Sequence, residues 1–174
     1  GLVGSEMCIR DRVIALEIDR VALYGTGSSN EPLGLHNTSG IGTESITANN
    51  PTFAQVVNME SDVAAANALM GNLSYVTGAT IRGAMKVKAK DSGSGLFLWD
   101  GNNTVNGYNA YMSNQVENGD IWFGNWSDCI IGYWSSLDLL VDPYTHSTSG
   151  TIRITALQDV DVAFRHAASF SLGA

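Results

Sequence analysis

The stretch TIRITALQDVDVAFRHAASF, residues 151–170, has the most regular hydrophobic pattern in the chain. Apolar side chains occupy most of its even-numbered positions, whereas the odd-numbered positions are mostly Thr, Arg, Asp and Ser, with Leu157 as the main exception. Alternation with a period of two predicts extended structure with one buried face. We therefore expect a very long extended segment, and Gln158 is the position where a break would fall.

Other apolar stretches also predict strands. DIWFGNW, CIIGYW and LDLLVD precede the long segment and are separated by Gly, Ser and Asp turns. LSYVT (73–77) predicts a short strand, and shorter extended pieces are expected at 96–99 and 108–113. The C-terminal third is therefore expected to be rich in β-structure.

Helical spacing is confined to the first half of the chain. It predicts helices over 13–24, 49–71 and roughly 79–90. Gly25 and Gly71 are placed to end the first two, and either Asn50 or Thr52 can cap the second. Helices and strands are thus segregated, which predicts an α+β fold.

The loop YGTGSSNEPLG, residues 24–34, has glycines close enough to suggest a phosphate-binding turn. The dinucleotide pattern needs glycine where Asn30 stands, and it needs a strand before the loop and a helix after it. Here a helix precedes the loop and none follows. We interpret Gly25 as a left-handed helix stop and Pro32 as a stiffener of the exit.

Composition narrows the classes of function. Of the 174 residues 44% are hydrophobic and 15% charged, which is typical of a folded globular protein. The formal net charge of −8 argues against a general nucleic-acid-binding surface. No run is apolar enough to suggest a membrane span. The basic residues of 82–90 (Arg82, Lys86, Lys88 and Lys90) are interpreted as a solvated helix face.

No group of residues forms a convincing catalytic or metal site. The histidines (36, 146 and 166) have no ligand partner at metal-site spacing, and Cys8 and Cys129 form no cluster. Asp120 and Asp128 could be proposed as a glycosidase-like carboxylate pair, but nothing in the sequence specifically supports this choice. Trp99, Trp122, Trp126 and Trp134 could form a sugar-stacking platform, but a core or a subunit interface explains them better. This points to a structural or binding protein.

The order of these elements resembles the C-terminal part of the tailed-phage major capsid proteins of the Hong Kong 97 type. IDRVALYGTGSSNEPLGL (18–35) is similar to the end of the family's spine helix and the segment after it. Tyr24 stands where the family often has Asn. The positions that follow the family pattern in that segment are Gly25, Gly27, Pro32, Gly34 and Leu35.

Two later segments continue the resemblance. TGATIRGAMKVKAKDSGSGLFLW (77–99) is similar to the family's strand–helix stretch. FGNW (123–126) and the sequence Asp142–Pro143–Tyr144 occur in family order, with Asn125 where the family commonly has Asp. The resemblance covers about residues 13–170.

The resemblance implies a non-enzymatic shell protein without cofactor, metal, membrane or small-molecule ligand. Many copies would assemble into hexamers and pentamers of an icosahedral phage head, in the host cytoplasm and then in the virion. Contact with the enclosed double-stranded DNA would be weak and non-specific. Some relatives form a Lys–Asn crosslink assisted by Glu. Gly150 and Leu157 stand near the Asn and Glu positions, so we expect no crosslink here.

The resemblance also implies a division of the chain. Residues 13–36 would be the end of the spine helix and its turn, 37–140 the axial domain, and 141–174 a long peripheral-domain strand returning to the axial domain. Residues 1–12, GLVGSEMCIRDR, resemble translated sequencing-adapter sequence and are expected to be non-native. We further expect that the chain folds around its axial domain yet builds no closed shell alone.

Two alternatives stay open. A bacterial encapsulin-type shell protein would share the fold but package an enzyme. A carbohydrate-binding module would use the tryptophans, and burial of all four would count against it.

Overall fold

The computed structural model describes residues 2–46, 49–91, 93, 95–142, 144–145, 147–150 and 153–174. These residues form three α-helices, namely α1 (Leu2–Tyr24), α2 (Phe53–Ala65) and α3 (Ala79–Val87). The strands are β1 (Gly42–Glu44), β2 (Leu73–Thr77), β3 (Thr104–Val105), β4 (Tyr108–Met112), β5 (Ile121–Asn125), β6 (Cys129–Tyr133), β7 (Asp138–Asp142), β8 (Arg153–Leu157), β9 (Val160–Phe164) and β10 (Phe170–Gly173). The predicted α+β fold is confirmed.

A mixed six-stranded sheet is the centre of the fold, with strand order β1-β10-β5-β2-β4-β3. Strand β10 pairs antiparallel with β5 and parallel with β1, and β2 pairs antiparallel with β5 and parallel with β4. Two separate two-stranded sheets are formed by β6 with β9 and by β7 with β8. The chain therefore leaves the main sheet after β5 and returns to its interior with β10.

Both faces of the main sheet are buried at its centre. Along β5, Ile121 and Phe123 belong to a first core that includes the inward faces of α2 and α3, whereas Trp122 belongs to a second core. The other buried members of the second core are Leu23, Leu35, Val116, Phe170 and Leu172. All of β5 is consequently buried, which explains its nearly continuous apolar sequence.

One predicted end of helix α2 is confirmed and the other is wrong. Thr52 caps it, and its side chain and that of Gln55 form a reciprocal capping box. The prediction that Gly71 ends this helix is wrong. Asn67 adopts a left-handed φ of 56°, and Ala68 N donates to Val63 O at 3.1 Å, so the helix stops at Ala65 in a Schellman turn.

The other predicted helices are also corrected at their ends. Helix α1 extends back to Leu2 rather than starting at residue 13. Helix α3 stops at Val87, three residues before the expected end, because Lys88 is already extended.

The predicted long extended segment is divided into three strands that belong to three different sheets. The chain breaks at Gln158 and Asp159 between β8 and β9, and a short 3₁₀ turn at Ala167–Ser169 precedes β10. The break near Gln158 is confirmed, but a continuous buried face is not. Val162 and Phe170 are buried, whereas Ile154 is 57% exposed. Residues 151 and 152 lie outside the described residues.

Candidate subunit interface

The residues that follow the family pattern after α1 meet in one compact loop, here called the joint loop (residues 25–35). Gly25 N donates to Val21 O at 2.9 Å and closes the helix, and Gly34 N donates to Gly25 O at 2.9 Å. Gly27 N donates to Pro32 O at 3.1 Å within a narrow antiparallel bridge. Leu35 is fully buried in the second core. The joint loop thus folds back on the end of α1.

The expected left-handed helix stop at Gly25 is wrong, because Gly25 does not have a positive φ. Glycine is needed there for close packing: a Cβ would lie 2.2 Å from Pro32 O and 2.5 Å from Val21 O. Gly34 is equally confined, since its Cβ would lie 2.4 Å from Gly25 N. The left-handed residues of the loop are Gly27, Ser29 and Asn30.

The Tyr24 hydroxyl joins the end of α1 to the main sheet. It donates to Asp120 Oδ2 at 2.7 Å and accepts from Glu117 N at 3.1 Å and from Trp122 Nε1 at 3.2 Å. The His36 ring packs against Tyr24, with ring centroids 5.5 Å apart. Sequence reasoning identifies Tyr24 only as a departure from the family pattern, and nothing in the local sequence indicates the partners it meets.

The buried environment of this cluster shifts two pKa values. Burial raises the pKa of Asp120, and the Glu117 charge adds to the shift, while the Tyr24 hydrogen bond and the His36 charge oppose it. Burial likewise raises the pKa of Tyr24. Tyr24 is therefore a neutral donor at neutral pH, so it can donate to the Asp120 carboxylate while accepting two N–H groups.

Two ion pairs of Arg20 on the protein surface connect the joint loop to α1. The Arg20 guanidinium lies 2.6 Å from Glu17 on the same helix and 2.7 Å from Glu31 in the loop. The Arg20 hydrogen bond is the main cause that lowers the pKa of Glu31. Arg20 and Glu31 are partly exposed and Glu17 is exposed, so these ion pairs orient the loop more than they stabilise the fold.

The second predicted motif, Asp142–Pro143–Tyr144, lies at the end of β7 and is not part of the joint loop. Asp142 Oδ1 accepts from Tyr144 N at 2.9 Å and from Thr145 N at 3.2 Å, and its other oxygen accepts from the Thr145 hydroxyl. These bonds lower the pKa of Asp142. Tyr144 is 82% exposed, and Pro143 lies outside the described residues. Asp142 thus caps the start of the β7–β8 connection through the backbone N–H groups of Tyr144 and Thr145.

The β7–β8 hairpin presents an apolar surface that sequence reasoning assigns to a buried face. Leu139 is opposite Ala156, and Val141 is opposite Ile154, so these four side chains share one face, here called the hairpin face. Leu139, Val141 and Ile154 are 45%, 56% and 57% exposed. The period-two pattern predicts a face that needs burial, but it cannot say that this face stays exposed in the folded chain.

A serine, a histidine and an aspartate, the residue types of a catalytic triad, lie together, but their hydrogen bonds connect them in an order that does not suit catalysis. Ser169 Oγ donates to Asp128 Oδ2 at 2.7 Å, and His166 Nδ1 lies 3.0 Å from the same Oγ. The serine lies between the other two, whereas nucleophilic catalysis requires histidine between serine and aspartate. Ser169 is also 1% exposed. The cluster therefore holds the turn before β10.

The remaining candidate groups are dispersed. Asp120 bonds to Tyr24 and Asp128 bonds to Ser169, so the two carboxylates belong to different networks. Trp99 and Trp122 are buried in different cores, Trp126 is half-buried, and Trp134 is 72% exposed, which leaves no four-tryptophan platform. His146 lies outside the described residues. Among the described residues, no metal-binding group and no membrane-spanning helix is found.

Comparisons with known proteins agree on one family. The family described as "Phage capsid family" matches residues 10–174. The major capsid protein of Halomonas phage phiHAP-1 is 40% identical over 161 residues, which cover 91% of this chain and 26% of that protein. The chain therefore spans about a quarter of the length of this curated relative.

Solved structures share the fold. The capsid of Myoviridae Phage XM1 superposes with a TM-score of 0.68 at 11% identity, covering 98% of this chain and 64% of that chain. A virus-like particle from Pyrococcus furiosus superposes with a TM-score of 0.63 at 7% identity, covering 91% of this chain and 63% of that chain.

Replacing Tyr24 with Phe removes the hydroxyl from the joint. The Glu117 and Trp122 N–H groups then lose their acceptor, so we expect the free energy of unfolding to fall by about 1–3 kcal/mol. Urea titration followed by tryptophan fluorescence measures this change. Tyr144→Phe is the matched control, because its side chain is 82% exposed. Equal stability of the two variants would contradict the role assigned to Tyr24.

Replacing Asp120 with Asn tests the electrostatics of the same cluster. Because the pKa of Asp120 is raised, the folded state retains a proton that the unfolded state releases, and stability falls as pH rises from the ordinary value of 3.8 through the raised pKa. The amide of the Asp120→Asn variant would still accept from Tyr24 but would not titrate. We therefore expect the difference in free energy of unfolding, variant minus wild type, to increase as pH rises through this window. Urea titrations across it measure the difference, with exposed Asp138→Asn as control; parallel curves would refute the assignment.

Proposed function

Because the chain belongs to the phage capsid family, we propose that it is part of a major capsid subunit that builds the head shell of a tailed phage. Many copies would assemble in the host cytoplasm into hexamers and pentamers that enclose double-stranded DNA. With a net charge of −8, contact with that DNA would be weak and non-specific. The 40% identity to a phage major capsid protein supports this function.

The exposed hairpin face is the single structural observation that carries the proposal. A two-stranded sheet is marginally stable by itself and needs a further strand or an apolar cover. Within the described part of the chain β7 and β8 pair only with each other, and three of the four side chains on one face are about half exposed. A surface of this kind is expected where another polypeptide segment packs.

The proposed domain division draws on the same topology. We assign 37–140 to the axial domain, 13–36 to the end of the spine helix with its turn, and 141–174 to the returning peripheral segment. The main sheet and the first core support an axial part, to which the returning segment contributes its last strand, β10. In this scheme the joint loop fixes the angle between α1 and the sheet, and residues 1–12 remain assigned as non-native.

An encapsulin-type shell protein is the second candidate, because the virus-like particle of Pyrococcus furiosus has the same fold. A portal or maturation-protease gene next to this one would favour the phage head. A carbohydrate-binding module is disfavoured by the dispersed tryptophans. We also propose that no Lys–Asn crosslink forms through this segment, since Gly150 and Leu157 have no amide or carboxyl side chain.

Paired substitutions on the hairpin face test the proposed interface. We expect Val141→Asp with Ile154→Asp to raise the dissociation constant for self-association at least about tenfold, because two charges replace buried apolar contacts. Sedimentation velocity over a concentration series measures this, and electron microscopy shows whether oligomers are open or closed. The free energy of unfolding should fall by no more than about 1 kcal/mol, since both positions are exposed and the two new carboxylates are opposite each other in the hairpin.

Met70→Asp is the matched control, because Met70 is 66% exposed but lies away from the hairpin. If the hairpin variant self-associates as strongly as the control, the hairpin face is not the interface.

A further inference from the structure

We propose that a cleft around Arg82 is a docking site for a carboxylate of a second copy of this chain, namely Glu44 on the opposite edge of the main sheet. The cleft has a volume of about 390 Å³ and lies between α3 and the β3–β4 edge. Besides Arg82 it is lined by Trp99, Asn102, Asn103, Asn109 and residues 110–112. The inference rests on the proposed function, since it names a partner for a self-assembling subunit.

Arg82 is held in place but keeps its hydrogen-bonding capacity. Its guanidinium carbon lies 5.3 Å from the centre of the Trp99 ring, and Trp99 is itself fixed by donating from Nε1 to Asn103 Oδ1 at 3.2 Å. Among the described residues, no hydrogen bond or ion pair to the guanidinium is found. A stacked guanidinium with free N–H groups is preorganised to bind a carboxylate through two parallel bonds.

The rest of the cleft favours a polar occupant with an extended backbone. Ala110 N donates to Asn103 O at 2.9 Å, on the side of β4 that faces away from β2. Two residues later, Met112 directs its N–H to the same side, beyond the end of β3, because strand geometry repeats every two residues. An edge of this kind accepts a further extended segment.

Charge decides between a carboxylate and a phosphate as the occupant. Lys86 lies one helical turn from Arg82 on α3, so the cleft is locally positive. The whole chain has 17 acidic and 9 basic residues, so a polyphosphate backbone would be repelled outside the cleft. A single carboxylate on an extended segment of another copy meets the positive cleft without that penalty.

The opposite edge of the main sheet provides such a carboxylate. Strand β1 is that edge, and Glu44 at its end has a half-buried side chain whose only described bond comes from Asn58 Nδ2 at 3.3 Å. Asp62 lies exposed nearby, where it accepts from Ser171 at 3.2 Å. Copies arranged head to tail in a ring place one edge of a subunit against the other edge of its neighbour. The two edges therefore have complementary charge.

Charge reversal with rescue tests this pairing in the 174-residue chain. We expect Arg82→Gln and Glu44→Gln each to raise the self-association dissociation constant about tenfold. Combining Arg82→Glu with Glu44→Arg should restore association to within about threefold of the wild type. Arg165→Gln, which removes an exposed cation elsewhere, is the control. The Trp99 indole N–H resonance should move with protein concentration in the wild type but not in Arg82→Gln.

The outcomes separate this inference from the proposed function. If the hairpin-face variant weakens association while the Arg82 and Glu44 variants do not, the cleft pairing is wrong and the proposed function stands. If the variant that combines Arg82→Glu with Glu44→Arg is folded by urea titration but does not restore association, the pairing is overturned as well. If a short oligothymidylate moves the Trp99 resonance and saturates below the concentration at which the chain self-associates, the cleft binds phosphate and the proposal is overturned.

Discussion

The insertion of β10 between β1 and β5 is the constraint on which the rest of the structure depends. These four residues near the end of the chain pair with both neighbours and place Phe170 and Leu172 in the second core. Without them β1 has no partner and β5 loses one side of its ladder. The sheet is therefore completed only when a segment about 45 residues after β5 returns to it. Such long-range pairing costs loop-closure entropy, which the burial of both sheet faces has to offset.

The sequence predicts the elements that a short local pattern defines. The apolar runs at β2, β5, β6 and β7 are found as strands, and Thr52, one of the two predicted caps, caps α2. Errors concentrate at the ends of helices. Asn67, four residues before Gly71, adopts the left-handed conformation that ends α2, whereas the positive φ of Gly71, 82°, belongs to the turn before β2.

The candidate site is less predictable, because its contacts join distant parts of the chain. Tyr24 and Asp120 are 96 residues apart, and neither has a local pattern that indicates the other. The glycines of the joint loop are identified by their spacing, but the reason for Gly25 differs from the expectation. A positive φ can be inferred from a turn pattern, whereas the position of Pro32 O, 2.2 Å from where a Cβ of residue 25 would lie, is known only from the folded loop. The alternation at 151–170 indicates an apolar face without indicating what covers it.

The apolar side chains are divided between the buried cores of the main sheet and the exposed hairpin face, and this division has a mechanical consequence for the proposed assembly. The excursion between β5 and β10 contains both two-stranded sheets, and the joint loop ties α1 to the second core. The main sheet can thus remain rigid while the β7–β8 hairpin, which makes few bonds to it, adjusts to a neighbour. In the shell proposed above, rigid sheet edges would fix the order of copies around a ring, and a weakly anchored apolar hairpin would absorb the change of angle between hexamers and pentamers.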